Sequence, residues 1–416
     1  MRSSSEAPDH WRPATTFALF LGHFVFLGIM IGAQGVLWAS LVEALKLSKV
    51  LFGSGQALAS LASVLLLLLG GPLSTRAGKS RLALASFLSF ALASLALAAS
   101  SAAVGFIIAL VVCGAAVALL EIAMNGATLD WEHATGRSVM NVLHSGFSAG
   151  AVVGALGAGV LLGRGWDYSQ VLVALAILSV SFFVVTLPVA YPPSARETLG
   201  ALSPGRALSM LRGERFVLVL AMISMFAGLS ECVANLWSTI YLRELGARDL
   251  IAGAAVTAFN GAVLFGRLAN AVVVNRLGAR RSLLLSGAGT VVAGALLLAT
   301  HDVLFATAAF LLLGLAAAGV LPTALSAGGR RLEADTGTLA GLAFAALYLS
   351  FIVGSPVIGW VAQVASLRSA LSVVALSGVG ILWLAGAVES PPTKDSLVIS
   401  ESPRSRSTSG PSARPS

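Results

Sequence analysis

Twelve long apolar runs dominate this 416-residue chain and decide what it can become. A helix needs roughly 20 apolar residues to cross a bilayer. The runs are Thr16–Trp38, Leu51–Leu73, Leu82–Ala99, Val104–Ala127, Val142–Leu162, Val171–Ala190, Phe216–Leu242, Leu250–Val274, Leu283–Ala299, Val303–Leu325, Thr338–Val364 and Ala370–Val388, spans 1 to 12 below. Hydrophobic residues make up 57% of the chain and charged residues 11%, against about 25% charged in an ordinary soluble domain. A soluble fold of this size has no interior large enough to hide so much apolar surface. A soluble enzyme, extended disorder and a disulfide scaffold are thereby excluded.

The first span is too long for the apolar core of a cleaved signal, and Glu6 and Asp9 dilute the basic residues before it. Cys113 and Cys232 both fall inside apolar runs, so neither a disulfide framework nor a cysteine metal site is expected. The chain carries no Walker lysine, no H-E-x-x-H and no G-x-S-x-G. No enzymatic activity, cofactor or metal is expected, and without a nucleotide-binding domain the chain is not an ATP-driven pump by itself.

The net charge of +8 does not mark a nucleic-acid binder, because the cations sit in short loops between apolar runs. With the N-terminus on the cytoplasmic side, the inner segments hold 19 of the 26 Lys and Arg residues and the outer loops hold 6. Positive charge stays inside, so both termini are cytoplasmic. The excess of Arg over Lys and the abundant Ala fit a GC-rich bacterial genome, hence a multi-pass protein of a bacterial cytoplasmic membrane, in contact with lipid and expected to be a monomer. The connection Tyr191–Arg215 contains Pro192, Pro193, Gly200, Pro204 and Gly205 and reads as a linker. The expected organisation is a cytoplasmic tail 1–15, a six-helix bundle 16–190, a linker 191–215, a second bundle 216–388 and a disordered tail 389–416.

The two halves repeat. Thr75-Arg76-Ala77-Gly78-Lys79-Ser80-Arg81 follows span 2, and Asn275-Arg276-Leu277-Gly278-Ala279-Arg280-Arg281 follows span 8, an offset of 200. Glu132-His133-Ala134-Thr135-Gly136 follows span 4, and Glu333-Ala334-Asp335-Thr336-Gly337 follows span 10, an offset of 201. The fold class is therefore an all-α polytopic membrane protein with twelve transmembrane helices in two six-helix repeats. Parallel six-helix repeats with a site between them at mid-membrane are a transporter architecture.

On these residues the chain resembles the major facilitator superfamily. Gly71-Pro72-Leu73-Ser74-Thr75-Arg76-Ala77-Gly78-Lys79 is similar to its cytoplasmic loop signature, roughly G-x-L-x-D-R-x-G-R-[RK]. The usual acid, which helps latch the cytoplasmic side in that family, is Thr75 in one copy and Asn275 in the other. The resemblance marks Gly71, Arg76, Gly78, Lys79, Arg267, Arg276, Gly278 and Arg280 as residues of conformational motifs. A narrower resemblance, to the fucose-permease-like branch, lies in Glu121-Ile122-Ala123-Met124-Asn125, Gly136-Arg137, His144-Ser145-Gly146-Phe147-Ser148-Ala149-Gly150 and Gly266-Arg267-Leu268. It implies that Glu121 has to do with proton coupling and His144 with substrate binding. That branch also has an acid in its first span, and this chain has none between Thr16 and Trp38. In the resembling family the first span of each half and spans 4 and 10 line the central cavity.

Ionisable residues inside a membrane are costly, so each is a functional candidate. Glu121 and Asn125 lie one turn apart in span 4 and share a face. The turn to span 5 reads as centred near His133, 12 residues after Glu121 and 11 before His144. That symmetry puts the two at similar depth, where they could share a proton or lock spans 4 and 5. The second half has Pro322 opposite Glu121 and Ala345 opposite His144; Pro322 is expected to kink span 10. Glu231 and Asn235 lie one turn apart in span 7, with Glu231 about 22 Å in from Phe216. His23 reads as a packing donor, and Arg267, 7 residues from the inner end of span 8, as a snorkelling or structural arginine. Tyr348, Asn260 and Gln34 are further possible ligands. Trp38, Trp166, Trp237 and Trp360 near outer ends, and Trp11, Trp131 and Trp383 near inner ends, read as an aromatic belt. The run of small residues from Gly150 to Gly159 reads as helix packing.

The expected function is secondary transport of a small, sugar-like or otherwise polar solute by alternating access, with protons as the candidate coupling ion. The alternatives are an exporter of drugs or metabolites and a transporter-shaped sensor without transport. No charged cluster along the spans points to a strongly charged cargo. Cysteines placed at Ser80 and Arg206 should be shielded from impermeant thiol reagents added outside intact cells, and cysteines at Asp167 and Asp302 should react. Outside labelling at Arg206 would sink the twelve-span map.

Overall fold

The computed structural model describes residues 11–192, 204–332 and 336–388. The N-terminal ten residues, the centre of the linker, the tail from Glu389 and the start of the second Glu-to-Gly motif at Glu333 lie outside the described residues. Among the described residues twelve helices are long and apolar enough to cross a membrane, the number and order expected: Pro13–Ala44, Lys49–Leu68, Lys79–Ala99, Ala103–Thr135, Met140–Gly163, Tyr168–Thr186, Arg215–Glu244, Leu250–Asn270, Val272–Ala299, Val303–Gly328, Gly341–Val364 and Leu367–Ala385. Hydrocarbon supplies no hydrogen-bond partner, so each crossing segment must satisfy its own backbone as a helix.

Polar side chains finish the helices where they leave the bilayer. Asp167 accepts from the Gln170 N–H at 2.9 Å while the Gln170 side chain accepts from the Asp167 N–H at 3.0 Å, a reciprocal cap at the outer start of span 6. Asp302 accepts from the N–H groups of Leu304 and Phe305 at the start of span 10. At the inner corner between spans 4 and 5, Gly136 takes a left-handed conformation (φ 69°) that ends span 4. The Glu132 carboxylate then accepts from the N–H groups of Val139 and Met140 at 2.5 and 2.9 Å. The first Glu-to-Gly motif is thus a helix corner that caps the next span.

The repeat is visible in the backbone. Gly78 (φ 83°, ψ 145°) and Gly278 (φ 80°, ψ 165°) make the same sharp turn after spans 2 and 8. Only a glycine adopts that conformation without strain. Apart from the kink at Gly278, spans 8 and 9 run on as one helix, Ala254–Ala299. Span 10 breaks between Ala317 and Val320, because Pro322 has no N–H to offer the carbonyl of Ala318. The expected kink is therefore present, a turn ahead of the proline. The linker departs from its expected loop form: Pro204–Gly213 is a helix, with its proline at the first helical position where no N–H is needed.

Small residues let the helices touch backbone to backbone. A Cβ added at Gly28 or Gly32 of span 1 would lie 2.0 Å from the carbonyl oxygen of Phe147 or Ala151 in span 5. Gly150 and Gly154 press in the same way on Val25 and Ile29. Gly157 has nothing within 4 Å, whereas a Cβ at Gly159 would lie 3.7 Å from the Leu250 carbonyl oxygen of the other half.

The halves meet on the outer side. Gly53 of span 2 packs on the Ser355 carbonyl, and Gly359 of span 11 on that of Lys49. Lys49 N–H donates to Gln363 Oε1 at 3.3 Å, and Thr239 Oγ1 donates to the Gly35 carbonyl at 2.9 Å. Arg243 pairs with Glu43 at 2.7 Å, and Lys49 pairs with Glu244. Among the described residues, no hydrogen bond or ion pair joins the halves at their inner ends. The outer face is the closed one. A thiol-reactive cross-linker applied to Glu43→Cys/Arg243→Cys should hold the two halves together on a denaturing gel after the chain is cut within 193–203. Halves that separate despite complete labelling of both cysteines would show that this face is not closed.

Candidate functional site

Five spans bring polar side chains to the middle of the molecule. Span 4 carries Glu121 and Asn125, span 5 carries His144 and Ser148, span 7 carries Glu231 and Asn235, span 8 carries Asn260 and Arg267, and span 11 carries Tyr348. Glu121, Asn125, His144, Glu231, Asn235, Arg267 and Tyr348 are all half-buried. Partial exposure at mid-helix is what a polar cavity between the halves requires, since facing lipid would cost a charge its hydration.

Two contacts cross between the halves here. Tyr348 Oη donates to Glu121 Oε2 at 2.6 Å, a short bond to a carboxylate. Arg267 Nη1 donates to Ser148 Oγ at 3.1 Å. The Arg267 guanidinium is also within electrostatic reach of His144 and of Glu231, and Glu231 is within reach of Tyr348. On the second half, Asn260 Nδ2 donates to Asn235 Oδ1 at 3.0 Å and ties span 8 to span 7. Span 7 relaxes into a π-helical stretch at Val233–Trp237, directly after Glu231 and including Asn235. Such bulges widen a helix and turn its side chains out of the regular register.

Glu121 and His144 are not level, against the expectation from their spacing. Span 4 does not end near His133 but continues to Thr135, 14 residues past Glu121, and span 5 starts at Met140, only 4 residues before His144. The difference of ten residues is about 15 Å along the axes. The physical reason is that polar residues from Asp130 to Thr135 leave the bilayer while still helical. Glu121 pairs instead with Tyr348, and His144 packs edge-on against Phe24, ring centroids 4.9 Å apart.

Of the two readings of Arg267, the structural one between helices fits and the snorkelling one does not. The helix continues past it to the kink at Gly278, so it sits deep and turns toward span 5 of the other half. Charged groups therefore do converge at the centre, contrary to the expectation drawn from their scatter along the sequence. His23 is fully buried within the first half, Nε2 3.0 Å from Thr186 Oγ1 and its ring against Phe87. Gln34 is spent on Cys113, at 3.3 Å. Of the expected belt, Trp166, Trp360 and Trp383 are exposed, whereas Trp38, Trp131 and Trp237 are buried. Trp237 packs edge-on against Phe52 across the closed outer face, and Trp131 Nε1 donates to the Pro13 carbonyl.

The inner loop has its own arrangement. Thr75 Oγ1 donates to the carbonyls of Gly71 and Pro72, within its own helix. Lys79 pairs with Asp130 at the inner end of span 4, and its stem lies over Gly126. The acid that binds this loop thus comes from span 4, within the first half. Arg76, Arg276 and Arg280 are exposed, with no ion pair to a described residue.

The family model described as Major Facilitator Superfamily matches residues 19–248 and again residues 230–410. This chain belongs to the major facilitator superfamily. It is a multi-pass membrane protein of a transporter family, not of an enzyme family. It is 31% identical over 275 residues to an uncharacterized MFS-type transporter of Yersinia pestis, covering 65% of this chain and 68% of that one. It is 27% identical over 362 residues to an uncharacterized transporter of Sinorhizobium fredii, covering 85% of this chain and 93% of the relative. Among solved structures it resembles the nucleoside transporter NupG (TM-score 0.72, 14% identity, 90% of this chain and 98% of that one). It also resembles a D-xylose-proton symporter (TM-score 0.69, 16% identity, 88% and 97%). Those likenesses establish the superfamily fold.

The sequence does not single out Asp130 or the π-helical stretch, and it shows Ser148 only as one member of the His144-to-Gly150 motif. Asp130 left a signal of its own, as an acid at the last polar-to-apolar boundary of span 4. The cross-half bond of this superfamily member gives a direct test. Tyr348→Phe removes one hydrogen bond to a carboxylate, typically a loss of about 1.5–3 kcal/mol. The purified variant should unfold at lower temperature than the wild type, and an unchanged unfolding temperature would show that the bond is not kept in solution.

Proposed function

We propose that this protein is a secondary transporter of a small polar solute across a bacterial cytoplasmic membrane, working by alternating access and driven by protons bound at Glu121. The Glu121–Tyr348 bond carries this reading. It spans the two halves at mid-membrane, and its strength depends on the charge of the carboxylate. Ionised Glu121 holds the Tyr348 hydroxyl firmly, and protonated Glu121 is a weaker acceptor that releases span 11. A proton arriving at Glu121 thus loosens a tie between the halves. The solute binds in the same cavity, lined by Asn125, Glu231 and Asn235, with His144 toward its inner end.

Three further observations support the reading. The solved relatives of this fold are named for nucleosides and for D-xylose with protons, both small polar cargoes. Glu121, Asn125, His144 and Arg267 fit the fucose-permease-like pattern, which supports placing the chain near that branch. The relatives from Yersinia pestis and Sinorhizobium fredii are bacterial, which supports the cytoplasmic membrane as its location.

Proteoliposome uptake of a solute found by thermal-shift screening tests the proposal. Wild-type protein should accumulate the solute uphill when an inward proton gradient is imposed. Glu121→Gln keeps the shape but cannot change charge, so it should still exchange solute and lose uphill accumulation. Wild-type uptake indifferent to the gradient would refute coupling and leave a facilitator. Full uphill accumulation by Glu121→Gln would remove Glu121 from the coupling role.

A further inference from the structure

Glu231 and Arg267 are opposite charges that face each other without meeting. The Asn235–Asn260 bond fixes which sides of spans 7 and 8 are opposed. Glu231 lies four residues inward of Asn235 and Arg267 two turns inward of Asn260, and the two charges are within electrostatic reach of each other. Their offsets from that bond are about 6 Å and about 10 Å along the helices, which leaves them staggered. Among the described residues neither forms an ion pair. Among the described residues the Glu231 carboxylate makes no hydrogen bond, and Arg267 uses only its bond to Ser148 out of the several N–H groups a guanidinium offers.

We propose that the transported solute is a zwitterion, its cationic end received by Glu231 and its anionic end by Arg267. This deepens the transport reading above and rests on it. Half-buried charges in a low-dielectric interior demand partners, and only a solute with both signs satisfies both at once. A neutral polyol leaves each charge with a weaker partner. A simple amine leaves Arg267 unanswered, and a simple acid leaves Glu231 unanswered. Arg267 presents a flat fork suited to a carboxylate, and the His144 ring beside it closes that end. The Glu121 carboxylate is engaged by Tyr348 rather than by either anchor, and it remains the group that binds the proton.

The test uses the full chain in detergent, with ligand binding read by thermal shift and calorimetry. The probes are the common amino acids and glycine betaine, then the decarboxylated amine and the deaminated hydroxy acid of each binder, with D-xylose and uridine as neutral comparators. At least one zwitterion should bind, and its amine and acid analogues should bind roughly tenfold more weakly or worse. Glu231→Gln and Arg267→Gln, each shown to be folded by size-exclusion, should each lose roughly tenfold or more in affinity for the zwitterion. Ser145→Ala, beside the site on span 5, should bind as wild type does. Failure of every zwitterion to bind overturns the proposal. So does a neutral solute whose binding is untouched by both charge-removing variants. Gradient-driven transport of such a neutral solute would leave the transport reading standing while this one falls.

Discussion

A hydrocarbon layer accepts no unpaired hydrogen-bonding group, and every level of this structure answers to that constraint. It makes each crossing segment a helix and moves the polar caps of Asp167, Asp302 and Glu132 to the water-facing ends. It also removes the hydrophobic drive between helices, because lipid tails are as apolar as Leu. Association then has to come from close backbone contact, which is why Gly28, Gly32, Gly150 and Gly154 line the seam between spans 1 and 5. Apart from His23, which Thr186 holds inside the first half, the few ionisable groups left at mid-membrane lie where the two halves provide partners or water. Glu121, Glu231 and Arg267 are all found there.

Much of the fold was legible in sequence because its signals are one-dimensional. Apolar runs mark the spans, loop cations orient them, and the repeated Arg-x-Gly loops foretell the shared turn at Gly78 and Gly278. The site was legible only as a set of residues. Polarity marks where a helix leaves the bilayer, not where it ends, so the run from Asp130 to Thr135 was mistaken for the turn. That error set His144 level with Glu121. Partners were harder still: Tyr348 is 227 residues from Glu121, and Arg267 is 119 from Ser148. Nothing along a chain records which faces of distant helices meet, and the burial of Trp237 under the outer face was hidden for the same reason.

The duplicated scaffold treats its axis and its site differently. Glu43 and Arg243, which pair at the outer face, are separated by the repeat offset itself. So are Gly35 and Asn235, which touch: a Cβ at Gly35 would lie 3.1 Å from the Asn235 carbonyl. Residues near a two-fold axis meet their own counterparts, so equal charges there would repel and the pair must diverge into acid and base. Away from the axis no such rule applies. Glu231 and Arg267 fall opposite Ile31 and Leu67 at the same offset, and the polar site has grown out of unrelated positions.

The distribution of these contacts also decides what can move the halves. Glu43 is 70% exposed, and ion pairs of that kind are worth about 0–1 kcal/mol each. They set the register of the closed outer face more than its stability. The ties at Glu121–Tyr348 and Arg267–Ser148 involve charged groups away from bulk water, where one bond is worth about 1.5–3 kcal/mol. A ligand shifts a conformational equilibrium only by the difference in its affinity for the two states. A carboxylate bound at Arg267 competes with Ser148 for the same guanidinium, and a proton at Glu121 weakens the hold on Tyr348. Each would exchange a contact between halves for a contact with cargo or proton, so occupancy acts directly on the two ties that hold the centre closed.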